Sequence, residues 1–99
     1  MKDPLRSLIF TDGTVESATE RGADLILLFR DYCDGLNRIT LVDAEVHHRS
    51  PDLCVYEVMD AAFESRDGTG SMMELRDDDG CRLLRVSYRS AHHEPVRPR

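Results

Sequence analysis

Ninety-nine residues with a net charge of −6, no Trp and six aromatic residues describe one acidic domain. A chain this short hides about 60–70% of its unfolded surface, enough for a single core, and the scarcity of aromatics argues against a deep aromatic-lined ligand cavity. The longest apolar run, Leu25 to Phe29, falls far short of a membrane helix, and the net charge argues against general nucleic-acid binding. Residues 82–99 are the exception, with Arg82, Arg85, Arg89, Arg97 and Arg99 against Glu94 alone. Cys33, Cys54 and Cys81 are odd in number and lack CxxC spacing, and the polar start Met1-Lys2-Asp3-Pro4 is not a secretory leader. Reduced thiols, mostly buried or half-buried, in a cytoplasmic protein are expected.

Asp-Gly pairs recur at 12–13, 34–35, 67–68 and 79–80. Asp tolerates left-handed backbone angles and Gly adopts them freely, so each pair between alternating apolar residues marks a hairpin. Leu5 to Thr11 reads as a first strand and Thr14 to Glu20 as an edge strand. Arg21-Gly22 turns the chain into Asp24 to Asp31. There Leu25, Leu27 and Phe29 share one face and Ile26 and Leu28 the other, the pattern of a central strand.

From Arg38 to His48 the apolar phase moves from Ile39 and Leu41 to Val42, Ala44 and Val46, as a β-bulge would produce. Leu53 to Ser65 reads as a strand, although Ser50-Pro51-Asp52 is also a good helix start, which makes a short helix within 51–64 the alternative. Ser71 to Arg76 and Arg82 to Ser90 form a hairpin over Asp77-Asp78-Asp79-Gly80, with Leu84, Val86 and Tyr88 facing in and Arg85, Ser87 and Arg89 facing out. Residues 91–99, with two prolines and no apolar pattern, read as a mobile tail behind a domain of residues 1–90. Leu28-Phe29-Arg30-Asp31 echoes Glu74-Leu75-Arg76-Asp77, which two hairpins with the same needs explain; a duplicated domain would need more length. The expected fold is an all-β antiparallel meander closing into a small sandwich or partly open barrel.

Motifs of chemistry mostly fail on inspection. Ile9 to Val15 resembles the loop of haloacid-dehalogenase-type phosphatases, but Phe10 stands where that family has its nucleophilic Asp. Gly68-Thr69-Gly70 lacks the third glycine and the helix of a phosphate cradle. Asp77-Asp78-Asp79 lacks EF-hand spacing. His47-His48 and His92-His93 are adjacent pairs, which on a regular strand point to opposite faces and cannot chelate one ion together. A zinc site would need His47 or His48 with Cys54, or with His92 or His93. The expectation is no metal, no cofactor and no catalytic residue, with Asp43, Glu45, His47, His48, Arg85 and Arg89 as candidate binding residues. An acid–base site built from His47 or His48 with Glu45 and Asp43 is the enzymatic alternative, and RNA binding through Arg85, Arg89, Arg97 and Arg99 a weaker one.

Thr11-Asp12-Gly13-Thr14-Val15, then Asp24 to Tyr32, then Ile39 to Val46 resemble, in that order, small bacterial β-rich domains of unknown function, some similar to immunity proteins that accompany toxins. The resemblance covers about a third of the chain and implies a non-catalytic binding role with a protein partner, without transferring any functional residue. Ile26 and Leu28 also need cover. They imply a second layer from the chain's own sandwich or barrel, or a two-fold homodimer through a sheet face or edge.

Overall fold

A computed structural model describes Leu5, residues 8–66 and residues 70–96. Eight antiparallel strands follow one another: β1 Thr14–Arg21, β2 Asp24–Arg30, β3 Leu36–Val42, β4 Glu45–Arg49, β5 Asp60–Arg66, β6 Gly70–Arg76, β7 Arg82–Tyr88 and β8 Ser90–Val96. They form two four-stranded sheets, in the orders β1-β2-β3-β8 and β4-β7-β6-β5. The all-β antiparallel expectation holds, as a two-sheet sandwich and not a closed barrel.

Each half of the chain runs as a three-stranded meander and then sends its fourth strand into the other sheet. β5, β6 and β7 begin 46 residues after β1, β2 and β3. The faint echo around Arg30-Asp31 and Arg76-Asp77 therefore marks a repeated four-strand unit. The objection from length fails because neither unit is a domain: each completes its sheet only with the other's last strand.

The echo is visible atom by atom in two hairpin loops. Asp31 Oδ1 accepts from the amides of Cys33 (2.9 Å) and Gly35 (2.8 Å). Asp77 Oδ1 accepts from those of Asp79 (3.0 Å) and Cys81 (2.8 Å). The fourth loop residue is left-handed in both, Asp34 at φ 64° and Gly80 at φ 79°. The Asp carboxylate thus does the same work in each loop, satisfying two amides that would otherwise face solvent unpaired.

Two seams join the sheets. Val42 faces Ser90 and Glu45 faces Ser87, so one antiparallel register runs from β3–β8 through a corner into β4–β7. The phase change after Leu41 is that corner, at Asp43 (φ 50°), where the chain leaves one sheet for the other. The second seam is a single bridge between Gly13 and Val58. Gly13 is obligatory there, because a Cβ would lie 2.1 Å from Phe29 Cζ.

Between the sheets lie Val15, Leu25, Leu27, Phe29, Ile39 and Leu41 of the first and Met73, Leu75, Leu84, Val86 and Tyr88 of the second. Burying side chains of this kind stabilises the fold by about 1.5–3 kcal/mol each.

Four expectations change. The described residues of the expected strand Leu5 to Thr11 form none: the chain turns around Leu8 to Gly13, and Leu5 and Phe10 enter the core. The strand expected over Leu53 to Ser65 is shorter, and its alternative, a helix within 51–64, does not form. A single turn closes with the amide of Tyr56 on the Asp52 carbonyl (3.3 Å), after which Val58 is drawn into the bridge with Gly13 and β5 begins at Asp60. The tail expected to be mobile from Ala91 is strand β8 through Val96, its alternation hidden because Pro95 lies on a sheet edge. The three cysteines are exposed: Cys33 and Cys54 lie in turns, and Cys81 at the end of the loop before β7. Asp67-Gly68, Arg97 and Arg99 lie outside the described residues. No helix among the described residues is long and apolar enough to cross a membrane.

Candidate functional site on the outer face of the second sheet

Strand alternation points Glu74, Met72, Arg85 and Ser87 away from the core. β4 should present His47 and His48 to opposite sides, but the register slips between Val46 and His48. A bulge sets neighbouring side chains on one side of the sheet. His48 falls opposite Arg85, and His47 Nε2 lies 2.9 Å from Ser87 Oγ. The expectation that these histidines diverge is thus corrected by the bulge. Glu45, opposite Ser87, completes the group, so Glu45, His47, His48 and Arg85 share one face.

Glu74 lies at the centre of that face and is only 3% exposed. Arg82 Nε lies 2.6 Å from its Oε1, Arg85 donates to the same oxygen at 2.9 Å, and Arg76 closes on Oε2. Burial opposes ionisation of Glu74. The hydrogen bonds from Arg85 and Arg76, with the charges of Arg76 and Arg82, outweigh it and hold the carboxyl below its ordinary value. Met72, two residues before Glu74 on the same side of β6, is also 3% exposed although it stands outside the core cluster.

Asp43 and Arg89 sit elsewhere, at the corner of the continuous ladder and 46 residues apart in the chain. Their exposed ion pair spans 3.6 Å. The histidine pair of β8 is split by regular alternation. His92 is exposed, and His93 turns inward to within 2.7 Å of Asn37 Oδ1. Buried Asn37 in turn donates to the carbonyls of Phe29 and Gly35 and to Asp31 Oδ2. Burial also opposes ionisation of Asp31, but Asn37, the Gly35 and Cys33 amides and the charge of Arg30 keep its carboxyl below the usual range.

His47 and His48 lie in one sheet and His92 and His93 in the other, so the zinc grouping with the tail histidines does not assemble. Among the described residues, Asp77, Asp78 and Asp79 form the one set of His, Cys, Asp or Glu whose ligand atoms lie within 4.8 Å of one another, and Asp77 is already held by its own loop. An open cleft of about 420 Å³ runs between Leu8–Thr11 and the edge of β5, lined by Ile9, Phe10, Asp60, Ala61 and Phe63. Asp43, Glu45, His47 and His48 are not among its lining residues.

Sequence reasoning found Glu45, His47, His48 and Arg85 but missed Glu74, Arg76 and Arg82. The available signal was a carboxylate inside Met72-Met73-Glu74-Leu75, a run too apolar to leave a charge without partners. No family model, no curated protein and no solved structure matches this chain.

Proposed function

We propose that the chain is a non-enzymatic binding protein of the bacterial cytoplasm, of the immunity-protein kind, and that a protein partner docks on the outer face of the second sheet. The observation that carries this reading is the bulge that turns His47 and His48 onto one face beside Glu45, Arg85 and the arginine-clasped Glu74. Polar groups held in fixed directions on a flat, open face suit recognition of another surface; acid–base catalysis needs them to converge on an enclosed atom. The partner is basic overall. The net charge of −6 draws such a protein in, and the fixed side chains set its register. Three exposed, unpaired cysteines fit a reducing compartment.

The test is capture from the source cell with tagged wild type and with a His48→Ala, Arg85→Gln double variant, followed by titration of the purified captured protein. Expected are loss of capture by the double variant, retention by a Glu20→Gln control on β1, and an association rate for wild type that falls as salt rises. Equal capture by wild type and the double variant, or turnover by the chain on a broad substrate panel, overturns the reading.

A further inference from the structure

The outer face of the first sheet presents the opposite problem from that of the second. Ile26 and Leu28 project outward from its central strand, and Leu36 and Val42 from β3 beside them. All four are half-buried and stand outside the core cluster. The sandwich covers Leu25, Leu27 and Phe29 and does nothing for these. In the second sheet the corresponding residues, Met72 and Glu74, are both 3% exposed, and Arg76, Arg82 and Arg85 meet on Glu74. Among the described residues no arginines converge on the centre of the first sheet: Arg30 turns aside to Glu16 at the β1 edge, and Arg38 to Glu94 at the β8 edge. The more apolar of the two outer faces is the one left open.

Charge decides what covers it. The charged residues of this face are Arg21, Arg30 and Arg38 against Glu16, Asp24 and Glu94, so it is neutral, and the whole excess of −6 lies on the rest of the chain. Two copies of this face therefore meet without a net charge of either sign opposing them. A two-fold contact requires a patch that complements itself, and an apolar centre with balanced Arg–Glu pairs at both edges meets that requirement.

We propose that two copies of this chain pack the outer faces of their first sheets together about a two-fold axis, burying Ile26, Leu28, Leu36 and Val42. The dimer is a four-layer stack in which both Glu74 faces point outward, so each assembly presents two binding faces.

Sedimentation equilibrium at micromolar concentration tests this on the full chain, using wild type, Leu28→Glu and Thr40→Arg. Thr40 sits beside Ile26 on the same face, so its replacement by Arg blocks the contact without touching the apolar cluster. Far-UV circular dichroism and the urea midpoint establish which variants are folded, and Thr40→Arg decides if Leu28→Glu fails to fold. The expected result is twice the chain mass for wild type and the chain mass for each folded variant. A monomeric wild type, or a folded variant that keeps the dimer mass, overturns the proposal.

Discussion

Met72 and Glu74 occupy in the second sheet the places that Ile26 and Leu28 occupy in the first, on strands that begin 46 residues apart and run through the same topology. The second pair is buried to 3% exposure and the first is half-buried. Hydrophobicity alone predicts the reverse order. The neighbours differ: Arg76, Arg82 and Arg85 converge on one carboxylate at the centre of the second sheet, while Arg30 and Arg38 pair with Glu16 and Glu94 toward the edges of the first, whose central apolar residues stay half-buried.

The comparison is first sharpened in the core, where the two sheets are alike. Phe29 and Leu75 are equivalent and wholly buried. Phe29→Ala is expected to cost about 3–5 kcal/mol and Leu75→Ala about 2–5 kcal/mol in urea denaturation. A variant within 1 kcal/mol of wild type would break the equivalence.

The outer faces then diverge. Glu74→Ala leaves three guanidinium groups without their shared acceptor and is expected to destabilise by about 1–3 kcal/mol. Leu28→Ala, on the half-open face, is expected to cost less than this in the monomeric state, because its side chain was never fully withdrawn from water. Equal losses at the two positions would mean that the arginine cluster on Glu74 stabilises nothing.

Acid gives a further separation. Glu74 and Asp31 titrate below their ordinary values of 4.5 and 3.8 in the folded chain. Groups with depressed values stabilise the fold above the unfolded value and stop doing so as pH falls through the folded one. Stability is therefore expected to decline below about pH 4.5, with Glu74→Gln and Asp31→Asn each removing part of the slope. A slope unchanged in both variants would contradict the assignment. The smallest effect belongs to the corner: Arg89→Ala breaks an exposed ion pair and is expected to shift stability by less than about 1 kcal/mol.

Much of this fold was legible locally. Leu25, Leu27 and Phe29 announced a central strand, and Asp12, Asp34 and Gly80 do adopt left-handed angles at three of the Asp-Gly turns. What escaped is what depends on distant partners. The phase change after Leu41 signalled an irregularity, but a bulge and a corner between sheets leave the same mark in one strand's pattern, and here both occur, at Asp43 and at Val46–His48. β8 was invisible because its polar, proline-containing residues are ordered by β3 and not by their own pattern. At the candidate site, single strands supplied Glu45, His47, His48 and Arg85. Glu74 was missed because its meaning lies in arginines on its own strand and on β7, which meet it only after the hairpin closes.

The central claim is that the first sheet's outer face is open and the second's is closed by its own side chains. Solvent paramagnetic relaxation of methyl protons, measured at two protein concentrations, tests it most directly. The Met72 methyl is expected to stay protected at both, while Ile26 and Leu28 are strongly relaxed in dilute solution and become protected as concentration rises. A Met72 methyl relaxed as strongly as those of Ile26 and Leu28 in dilute solution would contradict the account.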